Sequence, residues 1–219
     1  MKTRYAVIIV LILFICIIFA GCQPDSRSDI EQALKSSLMV DYKFDSASKD
    51  KNEDGYVRKA YYFNDENGIE FNVTSEHRSG GSGGVPRKID LCNYAVILLE
   101  TDKEAVEKEL QSDLSFEWSA TNMCYGIDVY DYDDLVQASI SIEKALNSID
   151  PFPINRSEFS RYFEYYCLPT IDVYYPDKNL TLGEFHFLCD GETPLTQSQI
   201  LDELQDRYKE KIEESSTTN

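Results

Sequence analysis

Several groups of residues in this chain have types and spacings that could support chemistry. Asp50-Lys51-Asn52-Glu53-Asp54-Gly55 matches the first half of a calcium loop, with oxygen-bearing side chains at positions 1, 3 and 5 and a glycine for the sharp turn. The last ligand position should carry a bidentate Glu; here it is Tyr61, which excludes a complete EF-hand and leaves a weak site or a solvated loop before a strand. Asp128, Asp131, Asp133 and Asp134 cluster tightly enough to hold a cation or to act as paired carboxylates. Capping at the positive end of a helix dipole explains them more simply. The only two histidines are His77 and His186. His77 adjoins the Gly/Ser-rich residues 79–84, a poor setting for a general base, which needs fixed geometry. His186 stands between Phe185 and Phe187, and a nucleophile built from it with Cys167 or Cys189 competes with simple packing or a disulfide. No GxSxG, HExxH or phosphate loop occurs. Glu164-Tyr165-Tyr166 and Tyr174-Tyr175 could present rings to a glycan or a protein.

The elements that would position these groups follow from periodicity. Ser28-Asp29-Ile30-Glu31 reads as a capping box opening a helix with Ile30, Leu34 and Leu38 on one face. Residues 45–54 read as loop. Residues 56–63 and 69–74 read as a hairpin around Asn64-Asp65-Glu66-Asn67-Gly68, and residues 79–84 as a flexible linker. Residues 90–113 predict one long helix; the alternative is a strand over 95–99 followed by a helix capped at Thr101. A strand over 125–130 precedes a helix with Leu135, Ala138, Ile142, Ala145 and Ile149 as its stripe, ended by Pro151 and Pro153. Residues 157–167 are ambiguous. Residues 171–175 and 184–188 predict a second hairpin, and Ile200, Leu204, Tyr208 and Ile212 a final helix. The sum is an α+β fold: a single domain over 29–213, with an antiparallel sheet of about five strands packed by three or four helices, and a flexible tail at 214–219. The two halves share a faint helix–hairpin–helix likeness, which recurring core-facing aromatics explain more simply.

Charge and the N-terminus bound the setting. The chain has 219 residues, with Lys+Arg 21 against Asp+Glu 39. Without residues 1–21, which contain Lys2 and Arg4 and no acid, the net charge is −20. Such a surface repels phosphate backbones and excludes nucleic acid as a partner. Residues 6–20 are an unbroken apolar run, too short for a bilayer span of about 20 residues but suited to the h-region of a secretory signal.

Phe19-Ala20-Gly21-Cys22, after that basic and apolar lead and before polar Gln23-Pro24-Asp25-Ser26, resembles the lipobox of bacterial lipoproteins. Phe19 stands where that family usually has Leu. The resemblance implies that 1–21 is a removed signal peptide, that Cys22 is lipidated and becomes the first residue, and that 22–28 is the lipidated Cys and its tether. It also implies a location at the cell membrane, facing the extracellular or periplasmic side. In an exported domain the remaining Cys92, Cys124, Cys167 and Cys189 allow two disulfides in three connectivities or four buried thiols. Cys167 and Cys189 bracket the second hairpin and are the pair whose ends could meet. No zinc spacing occurs, and no metal or cofactor is expected. The functional expectation is a non-catalytic binding or accessory module of the envelope, held to the membrane through lipid on Cys22, with an envelope protein or glycan as partner. The alternatives are an envelope-associated hydrolase using carboxylates such as Asp128 and Asp131, or a structural spacer.

Overall fold

The structure, a computed structural model, describes residues 24–78, 87–111, 114–119, 123–164 and 167–216. The signal segment with Cys22, the linker at 79–84, and Tyr165 and Tyr166 lie outside the described residues. In chain order the elements are α1 (Arg27–Ser37), β1 (Tyr42–Lys51), β2 (Val57–Asp65), β3 (Glu70–Arg78), β4 (Arg87–Cys92), α2 (Tyr94–Thr101), α3 (Lys103–Leu110), β5 (Phe116–Ser119), β6 (Cys124–Asp128), α4 (Tyr132–Leu146), α5 (Arg156–Tyr162), β7 (Thr170–Tyr175), β8 (Leu180–His186) and α6 (Gln197–Ser216). The fold is mixed α+β, but the one sheet of about five strands is corrected to two sheets of four. The chain divides into two compact units. No helix among the described residues is long and apolar enough to cross a membrane.

Unit 1 comprises the N-terminal residues up to Ser36, Val40–Cys92 and Glu158–Glu164. Its sheet is an antiparallel meander in the order β1-β2-β3-β4. The capping box that starts α1 lies two residues earlier than the sequence suggests. Ser26 Oγ donates to Asp29 Oδ2 at 2.6 Å, and the Ser26 N–H donates to the same oxygen at 3.0 Å. These bonds hold the Asp29 carboxyl below its ordinary range. The helix buries Ile30, Ala33 and Leu34, and strand alternation sends Tyr61, Phe63, Phe71 and Val73 to one buried face of the sheet. The Tyr42 hydroxyl donates to the Glu31 carbonyl at 2.8 Å, and the Arg27 guanidinium sits 3.7 Å over the Phe44 ring, which ties α1 to β1. A bulge between Phe44 and Ser46 shifts the register by one, so Ala47, Lys49 and Lys51 join the face of Phe44. At the β2–β3 turn the Asp65 carboxylate accepts from the N–H groups of Asn67 and Ile69, and Gly68 takes φ +84.

Unit 2 comprises Ser37–Met39, Asn93–Ser157 and the chain from residue 165 onward. The long helix expected over 90–113 is instead β4 followed by two helices. Asp102 breaks the run: at φ −104, ψ 10 it leaves helical geometry and serves as C-cap of α2 and N-cap of α3. The sheet runs β5-β6-β7-β8, with β6 and β7 parallel and both outer pairs antiparallel. A parallel pair needs a crossover, here residues 129–169 containing α4 and α5. Sheet 1 has no such pair, so the two halves do not repeat one topology. One sheet face carries Tyr125, Ile127, Ile171, Val173 and Phe185, all buried. Helix α4 packs against α3 and α6, and α6 against β8, burying Leu135, Ala138, Ile142, Ile200 and Leu204. Arg156 fastens the loop after β8: it pairs with both oxygens of Glu192 and donates to the Phe187 carbonyl at 2.6 Å, while Glu192 accepts the Cys189 N–H at 2.8 Å. Burial alone would raise the Glu192 carboxyl, but these donors outweigh it and hold it below its ordinary value.

Candidate functional site

Because the side chains of a strand alternate, the residues of sheet 2 that do not point at the apolar core form a second face. Its register is Glu117 and Ser119 on β5, Cys124, Gly126 and Asp128 on β6, Thr170, Asp172 and Tyr174 on β7, and Glu184 and His186 on β8. The residues named on this face include four carboxylates. A groove of about 460 Å³ opens on it, lined by Ser115, Phe116, Glu117, Ser119, Cys124, Gly126, Asp128 and Tyr174. Gly126 sets its floor: a Cβ there would meet the Tyr174 ring at 3.1 Å, so glycine lets the ring lie across β6.

Electrostatics define what these groups offer. Asp172 accepts the Thr170 hydroxyl at 2.9 Å and the Tyr174 hydroxyl at 3.1 Å. Burial, with the Asp172 charge second, pushes the Cys124 thiol up to about 11 and raises Tyr174 as well. A thiol in that range is protonated at neutral pH and is a poor nucleophile. Burial also raises the Glu184 carboxyl, against the opposing Arg207 charge, and lowers the His186 imidazole, helped by Arg156. His186 Nε2 and Glu184 Oε1 are 3.9 Å apart. The face therefore presents carboxylate acceptors and neutral hydroxyls.

Beyond the groove the chain leaves the carboxyl end of β6 and turns into α4. There Tyr130 and Tyr132 are 52% and 50% exposed. The Tyr132 hydroxyl accepts from the Gln205 amide at 2.6 Å, and Tyr175 at the end of the parallel neighbour packs edge-on against Tyr208. The groove runs along β6 from Cys124 to Asp128, and the exposed Tyr130 and Tyr132 follow Asp128 in sequence.

The residues singled out from sequence take separate roles. Asp131 is the N-cap of α4, accepting the Asp134 N–H at 3.0 Å, and Asp134 accepts the Tyr130 N–H at 2.8 Å. Asp128 alone of that cluster lines the groove. Asp50 lies in β1 and is held bidentately by Arg58, while the Asn52 side chain accepts from Tyr56 N–H and donates to the His77 carbonyl. The expected loop at 45–54 is thus mostly strand, and its oxygens already face protein donors. Among the described residues no group of three or more His, Cys, Asp or Glu has an arrangement that could hold a metal ion. His77 is buried within β3 opposite Lys88. Continuing the Thr170–His186 register would bring Cys167 opposite Cys189. The chain turns before that point, Cys189 bridges to Phe152, and Cys92, Cys124, Cys167 and Cys189 all stand as buried thiols. Burial pushes the Cys189 thiol up to about 11. Sequence reasoning missed Glu117, Gly126 and Asp172. The signal was present in the alternation of Cys124-Tyr125-Gly126-Ile127-Asp128 and Thr170-Ile171-Asp172-Val173-Tyr174, whose polar members define the face. Comparison of the chain with protein-family models, with curated proteins and with solved structures gives no match.

Proposed function

We propose that this is a lipid-anchored envelope protein whose second unit is a non-catalytic binding module. The observation that carries the reading is a groove of carboxylates and hydroxyls along β6, with the exposed rings of Tyr130 and Tyr132 following its last lining residue on that strand, Asp128. Tyrosines supply stacking area and a hydroxyl at low entropic cost, and the carboxylates accept from amino or hydroxyl groups. Such a site suits an envelope glycan or a protein with a basic surface. Of the carboxylates named for a hydrolase, Asp131 is engaged as a helix cap and Asp128 lines the groove, with Glu117 as the other carboxylate in its lining. The anchor is supported by the basic, apolar and small-small-Cys sequence of residues 2–22. Two experiments test the two parts. Cys22→Ala should abolish fatty-acid incorporation, and a membrane-fraction peptide beginning at unmodified Met1 would overturn the anchor. The soluble form beginning at Gln23 should capture a partner from envelope extracts, and Tyr130→Ser with Tyr132→Ser should lose it; equal capture by both forms refutes the site.

A further inference from the structure

The first described residues, expected as part of a tether, are fastened to unit 1. The Asp25 N–H donates to Ser75 Oγ at 2.9 Å, and the Asp25 carbonyl accepts the Tyr61 hydroxyl at 2.7 Å. Lys59 Nζ donates to the Pro24 carbonyl at 3.2 Å and to the Asp25 carbonyl at 3.4 Å. Pro24 is buried, and Ser26 already caps α1. These partners on β2 and β3 share one sheet face with Lys88 and Asp90 of β4.

On that face one ammonium serves two carboxylates. Lys88 Nζ lies 2.7 Å from Asp25 Oδ2 and 3.3 Å from Asp90 Oδ2. The Asp90 side chain is only 8% exposed, and its Oδ1 has no hydrogen-bond partner among the described residues. Its cross-strand neighbour Ser75 is fully buried and accepts the Asp25 N–H. The other charged and titratable groups around the pair are Asp29 at the start of α1, Lys59 and Tyr61 on β2, Lys49 opposite Lys59 on β1, and His77 opposite Lys88 on β3. Lys59 is committed to carbonyl oxygens. Glu164 reaches the same strand: its N–H donates to the Asp90 carbonyl at 3.0 Å, and its carboxylate pairs with Arg87.

We propose that residues 24–26 are a pH-sensitive latch on sheet 1, closed while Asp90 is protonated and loosened when it ionises. With Asp90 neutral, Lys88 serves the Asp25 carboxylate alone. With Asp90 ionised, two anions compete for that ammonium at a buried site, where repulsion is weakly screened. Burial, with the Asp25 charge adding, raises the Asp90 carboxyl. Linkage is reciprocal: docking Asp25 tightens the hold of Asp90 on its proton, so that proton tightens the docking of Asp25. The docked value lies above the undocked one, so closure is strongest below both and weakens as pH rises through the docked value. Each unit of difference between them weakens the latch about tenfold across the titration.

The test is amide hydrogen exchange of the full chain in neutral detergent micelles, resolved to the Asp25 N–H and divided at each pH by the rate of the denatured chain. Protection of Asp25 should be about tenfold greater near pH 4.5 than near pH 7.5, while the paired amides of β2 and β3 stay protected throughout. Asp90→Asn, which keeps the site neutral, should hold Asp25 protected with no pH dependence. Asp25→Asn keeps every backbone bond of the segment and removes the competing charge without touching the sheet, so the pH dependence at residue 25 should shrink. Wild-type protection equal at both pH values overturns the latch. So does a slope unchanged in Asp90→Asn, which would assign the titration to another group such as His77, or a slope unchanged in Asp25→Asn.

Discussion

Replacing Gly183 with alanine probes how unit 2 joins its helix to its sheet. Gly183 lies in β8 opposite Val173, and a Cβ there would sit 2.7 Å from Phe185 Cε2 and 2.9 Å from Leu204 Cδ2. Comfortable carbon contacts are about 3.5–4.0 Å, so close to 1 Å of overlap must be relieved. Neither neighbour can swing into solvent, since Phe185 is 1% and Leu204 0% exposed. The strain must move α6 or distort a rotamer, which costs about 1–3 kcal/mol, and two simultaneous clashes place this case in the upper half. With a urea slope of ~2 kcal/mol/M the unfolding midpoint should fall by about 1 M. Trp118, the chain's one tryptophan, is in unit 2 with its ring 4.8 Å from Tyr125, so its fluorescence reports this unit alone. Leu204→Ala costs about 2–5 kcal/mol by itself but removes one of the clashing groups. Gly183→Ala should then be milder in that background by at least ~0.5 kcal/mol. A midpoint for Gly183→Ala equal to wild type, or strict additivity with Leu204→Ala, would refute the packing argument.

Two further outcomes follow from groups whose burial sets their protonation. Asp90 is buried, its Oδ1 has no hydrogen-bond partner, and burial, with the Asp25 charge adding, raises its carboxyl despite Ser75 and Lys88. A raised folded value means that its stabilising contribution is complete below the unfolded value of about 3.9 and is lost as pH rises through the folded one. Asp90→Asn should therefore gain stability relative to wild type as pH rises from 4 towards neutrality, and parallel pH profiles by circular dichroism would contradict this. The second concerns the thiols: the soluble form should label at four sites when denatured without reductant. In the native state at pH 8, Cys124 and Cys189, both near 11, are ionised to only about one part in a thousand and should label slowly. A denatured count of two fewer would show one disulfide, and peptide mapping would say whether it joins Cys167 to Cys189.

The apolar strands and helices were legible because their periodicity is what burial requires. The first hairpin, the strand near 125–130, the second hairpin and the last helix all fall close to their expected positions. The omissions share a physical cause. β1 is an edge strand of mostly charged and small residues, YKFDSASKDK, and an edge strand paired on one side needs little apolar patterning. β5 is only four residues, and β4 follows the Gly/Ser stretch so closely that it reads as the start of a helix. Without those three strands, one sheet was the natural inference. The groove was hidden for a related reason: Glu117 sits on an undetected strand, and only the parallel pairing of β6 with β7 brings Asp128 beside Tyr174. Asp131 and Asp134 illustrate the reverse, since helix capping, the simpler reading of that cluster, is what they do.

Unit 1 is discontinuous in sequence. Its sheet is complete at Cys92, yet Phe159 and Phe163, rings 4.8 Å apart and both buried, belong to Glu158–Glu164. A chain made from its N-terminus must therefore deliver residues 93–157 before unit 1 can close. At ~5–20 residues per second that interval is on the order of 3–13 s, whereas a hairpin forms in about 1–10 μs. The unit that begins folding first thus waits for residues made only after a long stretch of the other unit. For those seconds its four strands stand without the seven residues that complete the unit.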